Sequence, residues 1–287
     1  MKKTVSIILS FIASLMVSSQ AYSFDLDSLK KLDLNKLGDI IKKTEDLKPV
    51  NEKAEVEIGR GVSANLLGVA PLVKNEPLQQ YVNKLGYWLV LQTDRADLNW
   101  RFGVLDSNSV NAFAAPGGYV FITKGLLLKM RNEAELAGVM SHEIAHVLRK
   151  HHLAAIQKSA QTSLMSDLAG FALNDAKHGE LAKKAIGTGT ELYSRGLDKD
   201  DEYEADRMGV VIAAKAGYDP YGLPAVLQTL EAINPQDSGL ALMTKTHPSP
   251  TARLQKLDIL MSGHLDQYAT QPQVADRFIQ VVGSYAK

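Results

Sequence analysis

The pattern of apolar and polar positions divides the chain into helical flanks around a short stretch of strands. From Phe24 to about Leu47, Leu26, Leu29, Leu37, Ile40 and Ile41 recur at helical spacing with lysines between them, and Pro49 ends that pattern. A second helical stretch covers about Glu52 to Leu67. A third covers about Pro77 to Thr93, with Tyr81, Leu85, Trp88 and Leu89 on one side. The period then changes: Trp100, Phe102 and Val104 alternate, and Tyr119 to Thr123 is β-branched and aromatic. A Pro-Gly-Gly turn at Pro116 to Gly118 lets Val110 to Ala114 and Tyr119 to Thr123 pair as neighbouring strands. Beyond Gly125 the pattern is almost wholly helical, with breaks near Gly187, Gly217 to Pro220, Pro235 and Pro248. Helices, a small sheet, then helices predict an α+β, mostly helical fold.

The longest uninterrupted helical pattern, "EAELAGVMSHEIAHVLRKHH", holds four of the seven histidines. Asn132 with Glu135 three residues on offers a capping box, and the run contains no breaker. At about 100° per residue, His142 and His146 lie ~40° apart on one face. On the same helix His151 falls ~180° from His142, and His152 ~80° to its other side. Only the first pair converges, so His151 and His152 are expected to be bystanders near the helix end, where polar and cationic side chains suit the dipole. His142-Glu143-x-x-His146 is the arrangement in which two imidazoles bind zinc and the glutamate acts on water beside it. The apolar Ala137, Val139, Met140, Ile144, Ala145 and Val147 make the helix a buried one, where uncompensated histidines are costly.

A catalytic zinc needs a third protein ligand. "DDEYEADRMG" places Glu202 and Asp206 one turn apart on one face, with Glu204 turned away, which suggests Glu202 as ligand and Asp206 as the acceptor that orients an imidazole. A solvated acidic face is the bland alternative for this stretch.

Composition adds bounds. Lys plus Arg equals Asp plus Glu at 32 each, so charge points to no nucleic-acid partner. Residues 1–23 have a basic start, an apolar run and small residues at Ala21 and Ser23, as in a cleaved signal peptide. Export implies the periplasm if the source is Gram-negative, and secretion otherwise. With no cysteine, there is neither a disulfide nor a lipid anchor at the leader.

The stretches "NAFAAPGGYVFITKGLL" (111–127), "HEIAH" (142–146), "EYEADRMG" (202–209) and "THPSPTARL" (246–254) together resemble the metallopeptidase family that includes HtpX, the mitochondrial Oma proteases, the CAAX prenyl proteases and the periplasmic BepA and LoiP. The resemblance implies a gluzincin-type domain, its small sheet beside the helix that carries Glu143, with one Zn2+ per chain held by His142, His146 and Glu202, and Asp206 as the helix partner. It also implies that His247 approaches the metal, and that Asn111, Ala112, Phe113 and Ala114 border the substrate cleft. The expected organisation is a signal peptide at 1–23 and one peptidase domain over 24–287. That domain comprises an N-terminal helical segment (24–70), a catalytic core (71–260) and a C-terminal helix (261–287), without tetratricopeptide repeats.

The function so implied is zinc-dependent endoproteolysis of exported or misfolded envelope polypeptides, a quality-control role. Glu143 is general base, and His247 either restrains the metal site or stabilises the oxyanion. The alternative is a zinc-stabilised chaperone or binding protein that grips without cutting. Two departures from the family pattern stand out: extra residues in "YSRGLDKDDEYEAD", and a length nearer the compact members.

Overall fold

The structure is a computed structural model that describes residues 50–159, 196–233 and 238–285. The expected signal peptide and the amphipathic stretch at 24–47 lie outside the described residues.

Helix α1 (Glu52–Val69) starts at Asn51, whose side chain accepts from the Ala54 N–H at 2.9 Å. Asn75 does the same for Leu78 at the head of α2 (Glu76–Val90), where Pro77 fits the first turn. Burial on α2 runs through Leu78, Val82, Leu85 and Leu89. Trp88 does not share that face: it is 49% exposed, and its indole N–H reaches the Ala216 carbonyl.

Strands β1 (Arg101–Leu105), β2 (Ala112–Ala115) and β3 (Tyr119–Thr123) form one sheet in the order β1-β3-β2. β2 and β3 are the expected antiparallel hairpin, with Phe113 opposite Phe121, and β1 runs parallel to β3. Gly117 and Gly118 take φ +77° and +98° in the turn, a region that glycine enters without steric cost.

The period-2 alternation divides the sheet between two apolar layers. Val104, Ala112, Ala114, Val120 and Ile122 face the main core. Leu105, Phe113, Ala115 and Phe121 face a smaller cluster with Val62 of α1.

After the short α3 (Lys124–Leu127) comes α4 (Glu133–Leu148), the centre of the domain, where every residue from Glu133 to Val147 is buried. Its cap is half the expected box. Asn132 accepts from the Glu135 N–H at 2.9 Å, whereas the Glu135 carboxylate accepts from Arg131 N–H at 2.8 Å.

The helix does not run on through the four histidines. It ends at Leu148, Lys150 takes φ +58°, and residues 151–159 are helical again. Helices α5 (Lys199–Lys215), α6 (Gly222–Glu231), α7 (Ala241–Thr246) and α8 (Pro250–Met261) follow, and α5 and α6 pack directly on α4. The expected C-terminal helix is confined to α9 (Ala275–Phe278) and the π-helical turn Ile279–Gly283.

Candidate metal centre

The buried stripe of α5 is Glu202, Ala205, Asp206, Gly209, Val210 and Ala213. Gly209 sets its distance from α4: a Cβ there would come within 2.9 Å of the His142 backbone nitrogen, so only glycine lets the two backbones touch at the ligand turn. The contact sets the acidic side chains of α5 against the histidines of α4.

His142 turns Nδ1 to Asp206 Oδ1, 2.9 Å away. His146 turns Nδ1 to the Nδ1 of His151, at 3.0 Å. Both rings thereby free Nε2, and the two Nε2 atoms stand 3.1 Å apart. The Glu202 carboxylate faces both, with Oε1 3.6 Å from His146 Nε2 and Oε2 3.7 Å from His142 Nε2. With each Nδ1 carrying the proton it donates, the facing atoms are two lone pairs and a carboxylate, all acceptors. Such a set is suited to holding a cation between its members. Two imidazoles and one carboxylate are zinc donors, so the residues present fit that ion.

His247, at the C-terminal cap of α7, joins from the other side, with Nδ1 2.6 Å from Glu202 Oε2. Donor atoms of His142, Glu202 and His247 lie within 4.8 Å of one another, a spacing that a single ion can bridge.

The electrostatics follow from burial and pairing. Burial would raise the Glu202 pKa, but the charge and hydrogen bond of His247, with His142 and Arg253, pull it down to about 2. Burial would lower His247, and Glu202 reverses that, holding it above its ordinary value. Burial, reinforced by the other histidines, pushes His146 well below. Glu143 is raised by burial against the pull of His142 and His247.

Two contributors were not singled out from the sequence. Arg253 of α8 is buried and clasps Asp206 through Nε at 2.9 Å and Nη2 at 2.5 Å, with Nη2 also 3.3 Å from His142 Nδ1. Against the cost of burial, it holds the Asp206 carboxyl well below the usual carboxylate range. Its signal was present, since Arg253, Leu257 and Met261 are four apart and form the buried stripe of α8.

His151 is the second, and here the expectation of a bystander is corrected. The left-handed turn at Lys150 resets the helical phase, so His151 is 6% exposed and directed at His146. Glu204, away from Asp206 as expected, meets His151 Nε2 at 3.2 Å and Arg149 Nε at 2.8 Å.

Two recesses flank the centre. One is walled by Leu126, Val139, Leu223, Leu227, Leu230 and Met243, and the other by Phe113, His146, His152, Leu197 and Glu202. Asn111, Ala112, Glu143 and His247 line both. Ala114 is fully buried in the core and borders neither.

Residues 74–260 match peptidase family M48. The chain is 32% identical to the beta-barrel assembly-enhancing protease of Escherichia coli over 205 residues, which is 70% of this chain and 42% of that protein. It is 30% identical to the putative beta-barrel assembly-enhancing protease of Vibrio cholerae over 221 residues, 72% of this chain and 46% of that one. It is also 29% identical to mitochondrial metalloendopeptidase OMA1 of Schizosaccharomyces pombe over 183 residues, 63% and 52% of the respective lengths. The chain thus spans less than half the length of the assembly-enhancing relatives. The family match covers the hairpin, the His142-to-His146 helix, the Glu202 helix and the His247 segment, and the chain belongs to peptidase family M48, whose metalloproteases use zinc.

Proposed function

We propose that this protein is a zinc-dependent endopeptidase that cleaves unfolded or misassembled polypeptides of the cell envelope, with Glu143 as general base and His247 as an internal restraint. The observation that carries the reading is the convergence of the His142 and His146 Nε2 atoms on the Glu202 carboxylate, with Asn111, Ala112, Glu143 and His247 lining both recesses beside it.

His142, His146 and Glu202 would hold the ion. Zinc supplies Lewis acidity there, which makes water more acidic and polarises a peptide carbonyl. Glu143 takes a proton from the attacking water. The C–N bond breaks as the same proton passes to the leaving amine.

His247 competes for the same ligand. Its 2.6 Å contact engages Glu202 Oε2, so an active centre requires that hydrogen bond to be exchanged, and release of the α7 cap is the restraint we assign. Swung clear, the same imidazole can donate to a developing oxyanion.

Envelope substrates and a periplasmic location rest on the signal-like residues 1–23 and on the relatives named for beta-barrel assembly enhancement. No helix among the described residues is long and apolar enough to cross a membrane.

The test is unfolded casein incubated with the mature chain and zinc, with and without chelator, beside Glu143→Gln. Products are expected from the wild type without chelator, and none from Glu143→Gln, although it binds one zinc. Undiminished cleavage by Glu143→Gln overturns the base assignment. Suppression of casein aggregation without products would establish a binding protein instead.

A further inference from the structure

We propose that His151, backed by Glu204, is a positioning residue that fixes the tautomer of the ligand His146 by accepting its Nδ1 proton. The inference rests on zinc binding by His142, His146 and Glu202.

The two ligand imidazoles are supported differently. His142 meets a carboxylate directly, at 2.9 Å from Asp206. His146 meets another imidazole, at 3.0 Å from His151, and the carboxylates come one step later: Glu204 Oε2 at 3.2 Å and Asp201 Oδ1 at 3.6 Å from His151 Nε2.

Proton accounting selects one state. A carboxylate accepts only, so His151 Nε2 must carry a proton toward Glu204. With the ion held at His146 Nε2, the proton of that ring sits on Nδ1, so His151 Nδ1, 3.0 Å away, is its acceptor and His151 Nε2–H is directed at Glu204. The His146 Nε2 lone pair then faces His142 Nε2 and Glu202. The opposite assignment places two acceptors against each other at Glu204 and a proton where the ion must bind. Glu204 thus dictates, through His151, which nitrogen of His146 is available.

The fold holds His151 in place. Lys150, whose left-handed φ of +58° ends α4, has its Nζ 2.9 Å from Glu55 Oε2, and Glu55 is itself buried and paired with Arg95. The next turn restarts from the Lys150 carbonyl, which accepts from Ala154 N–H at 2.8 Å. His151 reaches inward because the break occurs there; on a continuous helix it would face away from His142.

The experiment measures zinc affinity by chelator competition, the absorption spectrum of the cobalt-substituted protein, and thermal unfolding in chelator. It is run for wild type, His151→Phe, His151→Gln, and Asp201→Ala/Glu204→Ala alone and combined with His151→Phe. His151→Phe should bind zinc about 10–100-fold more weakly and shift the cobalt spectrum, with kcat reduced more than KM changes. Its unfolding temperature in chelator should stay near that of wild type. His151→Gln, whose amide oxygen can accept from His146, should recover most of the affinity. Removing both carboxylates should weaken zinc several-fold in the wild type and add little once His151 is gone.

The proposal is overturned if His151→Phe binds zinc within about twofold of wild type, or if the Gln variant loses as much as Phe while both lose stability in chelator. Should His151→Phe not fold, the carboxylate pair carries the test, and unchanged zinc affinity there overturns it equally. Failure of the wild type itself to bind zinc would refute the metal centre, a separate result.

Discussion

Replacing Arg253 with leucine removes the cation that clasps Asp206 while keeping an apolar side chain in the stripe with Leu257 and Met261. Asp206 is 1% exposed and loses two contacts, at 2.9 and 2.5 Å, so its charge is left in the core with His142 Nδ1, 2.9 Å away, beside it. Breaking a buried ion pair in this way costs ~3–5 kcal/mol, because the surviving charge keeps its desolvation penalty without its partner. For a domain of this size that corresponds to a fall of about 6–20 °C in unfolding temperature. The assay is thermal and urea unfolding at pH 8 in chelator, which keeps zinc affinity out of the comparison. Asp206→Asn/Arg253→Leu should recover a large part of the loss, since it removes the stranded charge as well. A loss below ~1 kcal/mol for the single variant, or a double variant less stable than the single by the full cost of a second buried group, would refute the claim that Asp206 is a charge held in place by Arg253.

Three further outcomes are expected. His247→Ala frees the oxygen of Glu202 now engaged at 2.6 Å: a rise of about tenfold in cleavage of unfolded casein at unchanged zinc content is expected where the restraint dominates, a fall would mark the imidazole as an oxyanion donor, and equal activity would remove His247 from the centre. Gly209→Val forces a branched side chain toward the His142 backbone nitrogen, 2.9 Å from the first added carbon, and should abolish stoichiometric zinc binding while the far-UV spectrum stays helical; intact zinc binding would show that α4 and α5 can separate freely. Glu133, buried among Tyr81, Tyr218 and Arg277, is held below its ordinary pKa of 4.5: burial opposes this, and the hydrogen bonds from Arg277 and the two tyrosines prevail. A lowered folded-state pKa contributes stability that is full above the ordinary value and is lost as pH falls through the folded one. Glu133→Gln should therefore cost about 1–2 kcal/mol in urea unfolding near neutrality, a modest figure because Arg277 is half exposed, and progressively less below pH 4.5; a difference that grows on acidification would contradict the sign.

The legible part of this molecule was the part built from regular periods. A spacing of four placed His142 with His146 and Glu202 with Asp206, and the structure brings all four together because α4 and α5 are uninterrupted across those turns. The hairpin was equally readable, since Gly117 and Gly118 sit at the positive φ that the turn requires. Arg253 was readable in principle from its place on an apolar stripe. His151 was not: the phase of a helix can be extrapolated only while the helix continues, and the break falls on Lys150, a residue with no intrinsic preference for a left-handed turn. At that turn Lys150 pairs with Glu55, 95 positions earlier in the numbering, a tertiary contact that no local pattern carries. Trp88 failed for a related reason: helical spacing gives the face, but a tertiary hydrogen bond to the Ala216 carbonyl holds the ring at the surface.

The burial of α4 on all sides has a consequence for the life of the protein in the cell. A hydrolytic centre mounted on surface loops could persist while the rest of the chain came apart. Here the helix bearing His142, Glu143 and His146 is the core, and Glu202 is brought to it by a second helix seated on it. Loss of packing and loss of the centre are one event. A newly made or heat-damaged copy therefore has no assembled blade to turn on its neighbours, and the enzyme's own folding serves as its safety catch.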